Sequence, residues 1–474
     1  MKLVFVHGWS VTHTDTYGSL PQILAARAAG RGLSLELVDI WLGRYISFHN
    51  EVRMDDVARA FQQALLDALP DGKGGVQPFS CITHSTGGPV VRSWIHRYFA
   101  PAELAACPLR HLIMLAPANH GSALAILGTS RVGRLKSWFD GIEPGAGILR
   151  WLELGSEPAR ALNRAWLDYD PLAPGSEFRP FVLTGETIDK KLYDYINSYT
   201  GEVGSDGVVR VAAANLDYSW LSLSEDGAEV AMTGELDRDG RPKIASLLRY
   251  NKDLRVSKPC PFLVVPDASH SGERIGIMRS PTLENADNKP VVAAILAALS
   301  VTSRRAYAEL ATEWARATAN VQSGAARRRR FFQMIIRVFD DHGYPVTDYD
   351  FILLAGDRYD PDRLPKGFFV DKQPNRHAPQ TITFYLDFDV MTAVRDGRFG
   401  FRIVARPNAG FAYYRPVEFH ADRGTLDTFV DPNTTLYIDI TLRRHVDRET
   451  ARLDPATRGP QDFTDVKPAN GEVP

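Results

Sequence analysis

The stretch that most limits what this chain can become is Thr83-His84-Ser85-Thr86-Gly87, with Gly88 after it. Before it, Pro78-Phe79-Ser80-Cys81-Ile82 reads as a short buried strand. After it, Pro89-Val90-Val91-Arg92-Ser93-Trp94-Ile95 has the apolar spacing of a helix packed on a sheet. A serine at so sharp a strand-to-helix turn has its hydroxyl pushed clear of the backbone. Its neighbours must be small, a need that Gly87 meets. The helix behind it points free N–H groups at any negative oxygen formed in front of the serine. The arrangement is G-x-S-x-G with Thr83 in the first glycine position. Ser-x-Gly alone is a common turn; strand, motif and helix together specify a nucleophile.

The first 300 residues repeat this alternation. Residues 3–6 read as a strand ending in His7-Gly8-Trp9, 20–29 as a helix and 33–38 as a strand. Residues 52–69 read as an amphipathic helix with Val57, Phe61, Ala64, Leu65 and Leu69 on one face and Pro70-Asp71-Gly72 as its stop. Further strands are expected at 109–115, 178–184 and 261–265, and a closing helix at 291–299. Short apolar strands alternating with helices predict a mostly parallel sheet covered on both faces. Two stretches interrupt the pattern. Residues 123–174 are irregular and partly apolar, and fit a lid or substrate-pocket wall and a packing subdomain equally well. Residues 217–256 read as a β-hairpin excursion, turning at Asp226-Gly227.

These elements make residues 1–302 one unit. A charged, Ala-rich helical linker is expected at 303–328, running into Arg327-Arg328-Arg329-Arg330. Residues 329–445 show short alternating stretches separated by turns, which predict an all-β, sandwich-like domain. Residues 446–474 are charged and rich in Pro and Gly, and read as a disordered tail.

Composition excludes more than it selects. The net charge of −2 supplies no field toward nucleic acid or anionic membranes. Three cysteines make no disulfide framework, and Cys81 and Cys107 read as small core residues. The opening Met1-Lys2-Leu3-Val4-Phe5-Val6 is too short for a signal peptide, and no run approaches ~18 apolar residues. The expected location is therefore cytoplasmic, with signal-independent secretion as the alternative. No acid cluster suited to calcium is assigned.

A serine hydroxyl attacks only when a base takes its proton, and a third group must hold that base. His270 lies directly past the last strand in a polar turn and fits the base better than His7, His84 or His120. For the acid, Asp206 sits between Gly204 and Gly207 in a turn that can aim a carboxylate; Asp267 and Asp189 are its rivals. The oxyanion hole needs two backbone donors. Thr86 N–H is one, and Trp9 N–H, with Ser10 as second choice, is the other.

These motifs resemble the α/β-hydrolase family of lipases and esterases over about residues 1–300. Phe5-Val6-His7-Gly8-Trp9 is similar to the family's oxyanion turn, Thr83-His84-Ser85-Thr86-Gly87 to its nucleophile turn and Ser205-Asp206-Gly207-Val208-Val209 to its acid turn. Ala116-Pro117-Ala118-Asn119-His120-Gly121-Ser122 resembles a segment that bacterial lipases carry before the lid. The order Ser85, Asp206, His270 is also the family's. Thr83 replaces the usual glycine, and the family's leading strands are missing. The resemblance implies a serine ester hydrolase that needs no cofactor, and the apolar insertion favours lipidic esters. The same triad serves acyl transfer and thioester cleavage. From another class, the β domain could be a binding or targeting module for a membrane, glycan or secretion partner, as in secreted antibacterial lipase effectors. Phe411, Tyr413 and Tyr414 are its candidate contacts.

Overall fold

The computed structural model describes residues 1–7, 15–47, 49–128, 145–189, 202–250, 253–323, 329–393 and 397–447. The chain opens with β1 (Lys2–His7), α1 (Leu20–Ala28), β2 (Glu36–Trp41), α2 (Met54–Ala68), β3 (Phe79–His84) and α3 (Gly87–Tyr98). There follow β4 (Leu109–Leu115), α4 (Ala125–Gly128), α5 (Ala146–Leu152), α6 (Glu157–Trp166), β5 (Arg179–Thr184) and α7 (Val211–Ala214). A hairpin of β6 (Tyr218–Leu236) and β7 (Pro242–Tyr250) comes next, with the short β8 (Arg255–Val256). β9 (Phe262–Val264), α8 (Pro290–Leu299) and α9 (Arg304–Ser323) close this part.

Six strands form one sheet in the order β2-β1-β3-β4-β5-β9, every neighbour parallel. Parallel strands need crossovers that bury both faces, which is why β1, β3, β4 and β5 are nearly continuous apolar runs. Val57, Phe61, Trp94, Ile95 and Leu162 cover one face. Leu20, Ile23, Ile295, Leu299, Tyr307 and Trp314 cover the other. β2 begins three residues later than the sequence suggests. Leu33, Leu35 and Leu37 alternate as a strand should, yet only Leu37 pairs with β1, while Leu33 and Leu35 pack at the helix side. No helix among the described residues is long and apolar enough to cross a membrane.

The remaining strands are β10 (Phe331–Asp340), β11 (Tyr349–Ala355), β12 (Phe369–Pro374), β13 (Thr381–Asp387), β14 (Phe399–Ala405), β15 (Ala412–Tyr414), β16 (Val417–Ala421), β17 (Thr435–Leu442) and β18 (Arg444–Val446). The second sheet runs β11-β14-β16-β7-β6-β17-β10-β13-β12, with β8 also on β6, while β15 and β18 pair separately. The β6–β7 hairpin therefore belongs to this sheet. β6 pairs in parallel with β17 from Tyr218–Thr435 to Ser224–Thr441.

Alternation gives this sheet two different faces. Phe332, Met334, Ile336, Phe384, Leu436 and Ile438 look inward and meet Phe399, Phe401 and Phe419 of the sheet's other half in one apolar core. Gln333, Ile335 and Arg337 align with Thr435, Tyr437 and Asp439 on one side and Tyr385, Thr383 and Thr381 on the other. This second, mixed face lies against the parallel-sheet part, with α6 between them.

Asp226-Gly227 does not turn the hairpin, contrary to expectation. β6 continues through it to Leu236, and the two residues sit in a register shift of the β6–β7 ladder. The Asp226 carboxylate accepts the Ala228 N–H and the Arg249 guanidinium there. The reversal comes at Asp237, which accepts N–H bonds from Asp239 and Arg241. Both stretches carry Asp and Gly and both adjoin a shift in the β6–β7 register, so which of them reverses the chain is set by strand pairing that sequence alone does not reveal.

Candidate active site

Ser85 stands at the β3–α3 junction with φ of 52°. A non-glycine residue rarely adopts this left-handed conformation, and the fold fixes it from both sides. Ser85 N–H donates to the Leu115 carbonyl at 3.0 Å, and Ala118 N–H donates to the Ser85 carbonyl at 3.3 Å. Small residues are needed behind it. A side chain at Gly87 would meet Thr83 Cβ, and one at Gly88 would meet Met114 and Pro117. Thr83 thus fills the space that Gly87 leaves. Thr86, 6 % exposed, caps α3, whose free N–H groups face the nucleophile.

Asp206 and His270 come from turns beyond the C-terminal ends of the parallel strands, and both are fully buried. Asp206 Oδ1 accepts the N–H groups of Val208 at 3.0 Å and Val209 at 2.8 Å. Its Oδ2 lies 2.9 Å from His270 Nδ1. An ionised carboxylate only accepts, so the imidazole proton sits on Nδ1 and Nε2 keeps its lone pair. The backbone repeats the pairing, with His270 N–H donating to the Asp206 carbonyl at 3.0 Å. Ser85 Oγ and His270 Nε2 are both buried, and neither has a hydrogen-bond partner among the described residues.

The structure brings Ser85, Thr86, Asp206 and His270 to one end of the sheet; Trp9 and Ser10 lie outside the described residues. Asp189 is engaged elsewhere, 3.0 Å from Arg274. Asp267 has φ of 54° in the turn before His270. His7 binds Thr16 and Asp39, and so ties β1 to β2.

Two further imidazoles support the site. His84 Nε2–H donates to the His270 carbonyl at 2.9 Å, with the rings 4.6 Å apart. Burial, then the neighbouring His270, holds His84 down to about 3, so it is a neutral strut. His120 Nε2–H donates to the Asn215 carbonyl, which leaves Nδ1 to accept the Tyr437 hydroxyl, each at 2.8 Å. The sequence signal for His84 was its place beside Ser85. For His120 it was the polar Asn119-His120 pair directly after an apolar strand. Among the described residues no group of three or more His, Cys, Asp or Glu side chains is placed to hold a metal.

No family model matches the chain, and no curated protein does. Solved structures do. The chain is similar to phospholipase PlaB from Legionella pneumophila at 44% identity, with a TM-score of 0.84 and 96% of each chain covered. The same protein in complex with thio-NAD matches at 42% identity, with a TM-score of 0.83 and 97% of each chain covered. Matches of this extent take in the parallel sheet, the insertion and the second sheet together, and the chain belongs to the PlaB family of α/β-hydrolases with a C-terminal β domain.

Proposed function

We propose that this chain is a phospholipase that cleaves carboxylic ester bonds of phospholipids through a Ser85 acyl-enzyme. The observation that carries the reading is the buried Asp206–His270 pair beside a serine at φ 52°. Similarity to PlaB along the whole chain supports the substrate class. Ser85 Oγ attacks the acyl carbon and its proton passes to His270 Nε2. Asp206 keeps the ring oriented and stabilises the imidazolium. Thr86 N–H and, from the His7-Gly8-Trp9 motif of the sequence, Trp9 N–H hold the oxyanion. The lysolipid leaves with the proton from His270. Water, deprotonated by the same nitrogen, then releases the fatty acid.

Peripheral contact with a lipid surface fits the same reading. Leu236 and Ile244 are exposed on the β6–β7 hairpin, and Phe411 is exposed on the β domain. Tyr413 and Tyr414 support it less: Tyr413 stacks on His445, and Tyr414 donates to Asp340. The PlaB complex with thio-NAD makes a dinucleotide a second ligand to test, by its effect on ester hydrolysis.

The test is hydrolysis of phospholipid vesicles and of a p-nitrophenyl ester series by wild type and Ser85→Ala. The variant should keep its fold and lose roughly 10⁴-fold or more in kcat on both. Equal activity in the two proteins excludes Ser85 as nucleophile.

A further inference from the structure

We infer that the β domain is part of the catalytic apparatus, because Arg210, Asp371 and Tyr385 position the acid Asp206. This rests on the Ser85–His270–Asp206 reading above. Asp206 belongs to a compact loop at residues 202–211. Inside it, Ser205 Oγ–H donates to the Glu202 carbonyl at 2.8 Å, and Val211 N–H donates to the Gly204 carbonyl at 2.9 Å. Arg210 closes the loop by donating Nε–H and Nη2–H to the two oxygens of Glu202, at 2.9 and 2.8 Å.

The other wall is the β domain. Arg210 is 1 % exposed, and its charge is completed by Asp371 of β12. Its guanidinium lies 4.3 Å above the ring of Tyr385 of β13. The Tyr385 hydroxyl reaches the carbonyls of Gly204 at 3.0 Å and Val203 at 3.2 Å, two and three residues before Asp206. Gly204 has φ of 72°, and a side chain there would run into Phe331 and Tyr385. The loop therefore has no room to move toward the second sheet. Thr435 Oγ–H of β17 donates to the Ala212 carbonyl at 2.9 Å and fixes the exit from the loop.

A catalytic carboxylate must hold its hydrogen-bond distance to the histidine nitrogen to within about 0.5 Å. Within its own unit this loop is held by its internal hydrogen bonds, the Glu202–Arg210 ion pair, the Ser122 Oγ–H bond to the Val208 carbonyl and the pairing with His270. A second carboxylate for Arg210 and the wall behind Gly204 come from Asp371, Phe331 and Tyr385, far later in the chain. A salt bridge of this kind is worth little as net stability, and its use is to fix one geometry.

The experiment uses the full chain and a soluble ester. Tyr385→Phe removes the hydroxyl from the Gly204 carbonyl, and Asp371→Asn removes one of the two carboxylate charges that face Arg210. Each should lower kcat/KM roughly 10- to 100-fold, almost all of it in kcat. The acid limb of the pH profile should move to lower pH, since a displaced Asp206 stabilises the His270 imidazolium less. Labelling of Ser85 with a fluorophosphonate counts folded sites and separates this from a loss of folded protein. The deciding arm repeats both changes in an Asp206→Asn background, where they should cost nothing further. Losses that multiply there overturn the inference, as do wild-type rates and pH profiles for both single variants. If Asp206→Asn itself retains full activity, the reading of the acid fails instead.

Discussion

A buried imidazole that cannot take a proton ties the stability of this fold to pH. His120 is 1 % exposed, and burial, helped by the charge of Arg92, holds it down to about 3. In the unfolded chain it titrates near its ordinary value of about 6.5. Between those limits the unfolded state binds the extra proton, so stability rises with pH through this window and falls as pH drops below about 6.5. Each such group contributes at most about 1.4 kcal/mol per pH unit. His120→Gln, which keeps a donor toward the Asn215 carbonyl, should lose stability at pH 7.5 but show a shallower fall between pH 7.5 and 5. Urea denaturation at the two pH values checks this, and parallel curves for the two proteins would sink it. The imidazole also explains why a polar pair follows β4. Asn119 and His120 join Arg92, Asn163 and Tyr437 in one buried network, so polarity here marks a junction between the two sheets.

Helix α6 shows how the insertion after β4 is used. It starts at Ser156, whose hydroxyl accepts the Ala159 N–H, and it buries Ala159, Arg160, Leu162, Asn163 and Trp166. Trp166 lies under Arg92 of α3, while Arg160 stacks on Trp220 and Tyr437 of the second sheet. Asp439 of β17 receives Arg160 at 2.5 Å, Arg337 at 2.9 Å and the Trp220 indole N–H at 2.8 Å. Asp439→Ala leaves Arg160 buried without a counter-charge and should cost on the order of 3–5 kcal/mol. Chemical denaturation measures it, and a loss below about 1 kcal/mol contradicts the role given to Asp439. Little of this was legible beforehand. The helix has periodic apolar residues, but Arg160 and Asn163 share its buried face, and an arginine in a sequence reads as solvated. The candidate triad of Ser85, Asp206 and His270 was readable because short motifs fix the local backbone of each. Arg210, Tyr385 and Asp371 were not, because their meaning arises only from contacts between distant segments.

The two sheets interlock as one body. β6 leaves the parallel-sheet part after α7 and enters the centre of the second sheet between β7 and β17. The hairpin reads as an excursion in the sequence because alternation shows a strand without showing its partner. Separating the parts would strip β17 from β6 and uncover the mixed face that α6 and the acid loop occupy. The full chain should therefore unfold in a single cooperative transition, with intrinsic fluorescence and far-UV circular dichroism coincident. Two resolved transitions would show that the parts are independent.

The place of β17 carries a consequence for how the protein is made. This strand lies between β10 and β6, yet it follows both in the chain by about a hundred residues or more. During synthesis on the ribosome, Ser85, Asp206 and His270 all emerge before it does. The sheet that braces the acid loop stays without its central strand until residues 435–442 have left the exit tunnel. A nascent chain therefore carries Ser85, Asp206 and His270 before the strand that joins β10 to β6 exists, and on the proposed reading ester hydrolysis waits for that strand.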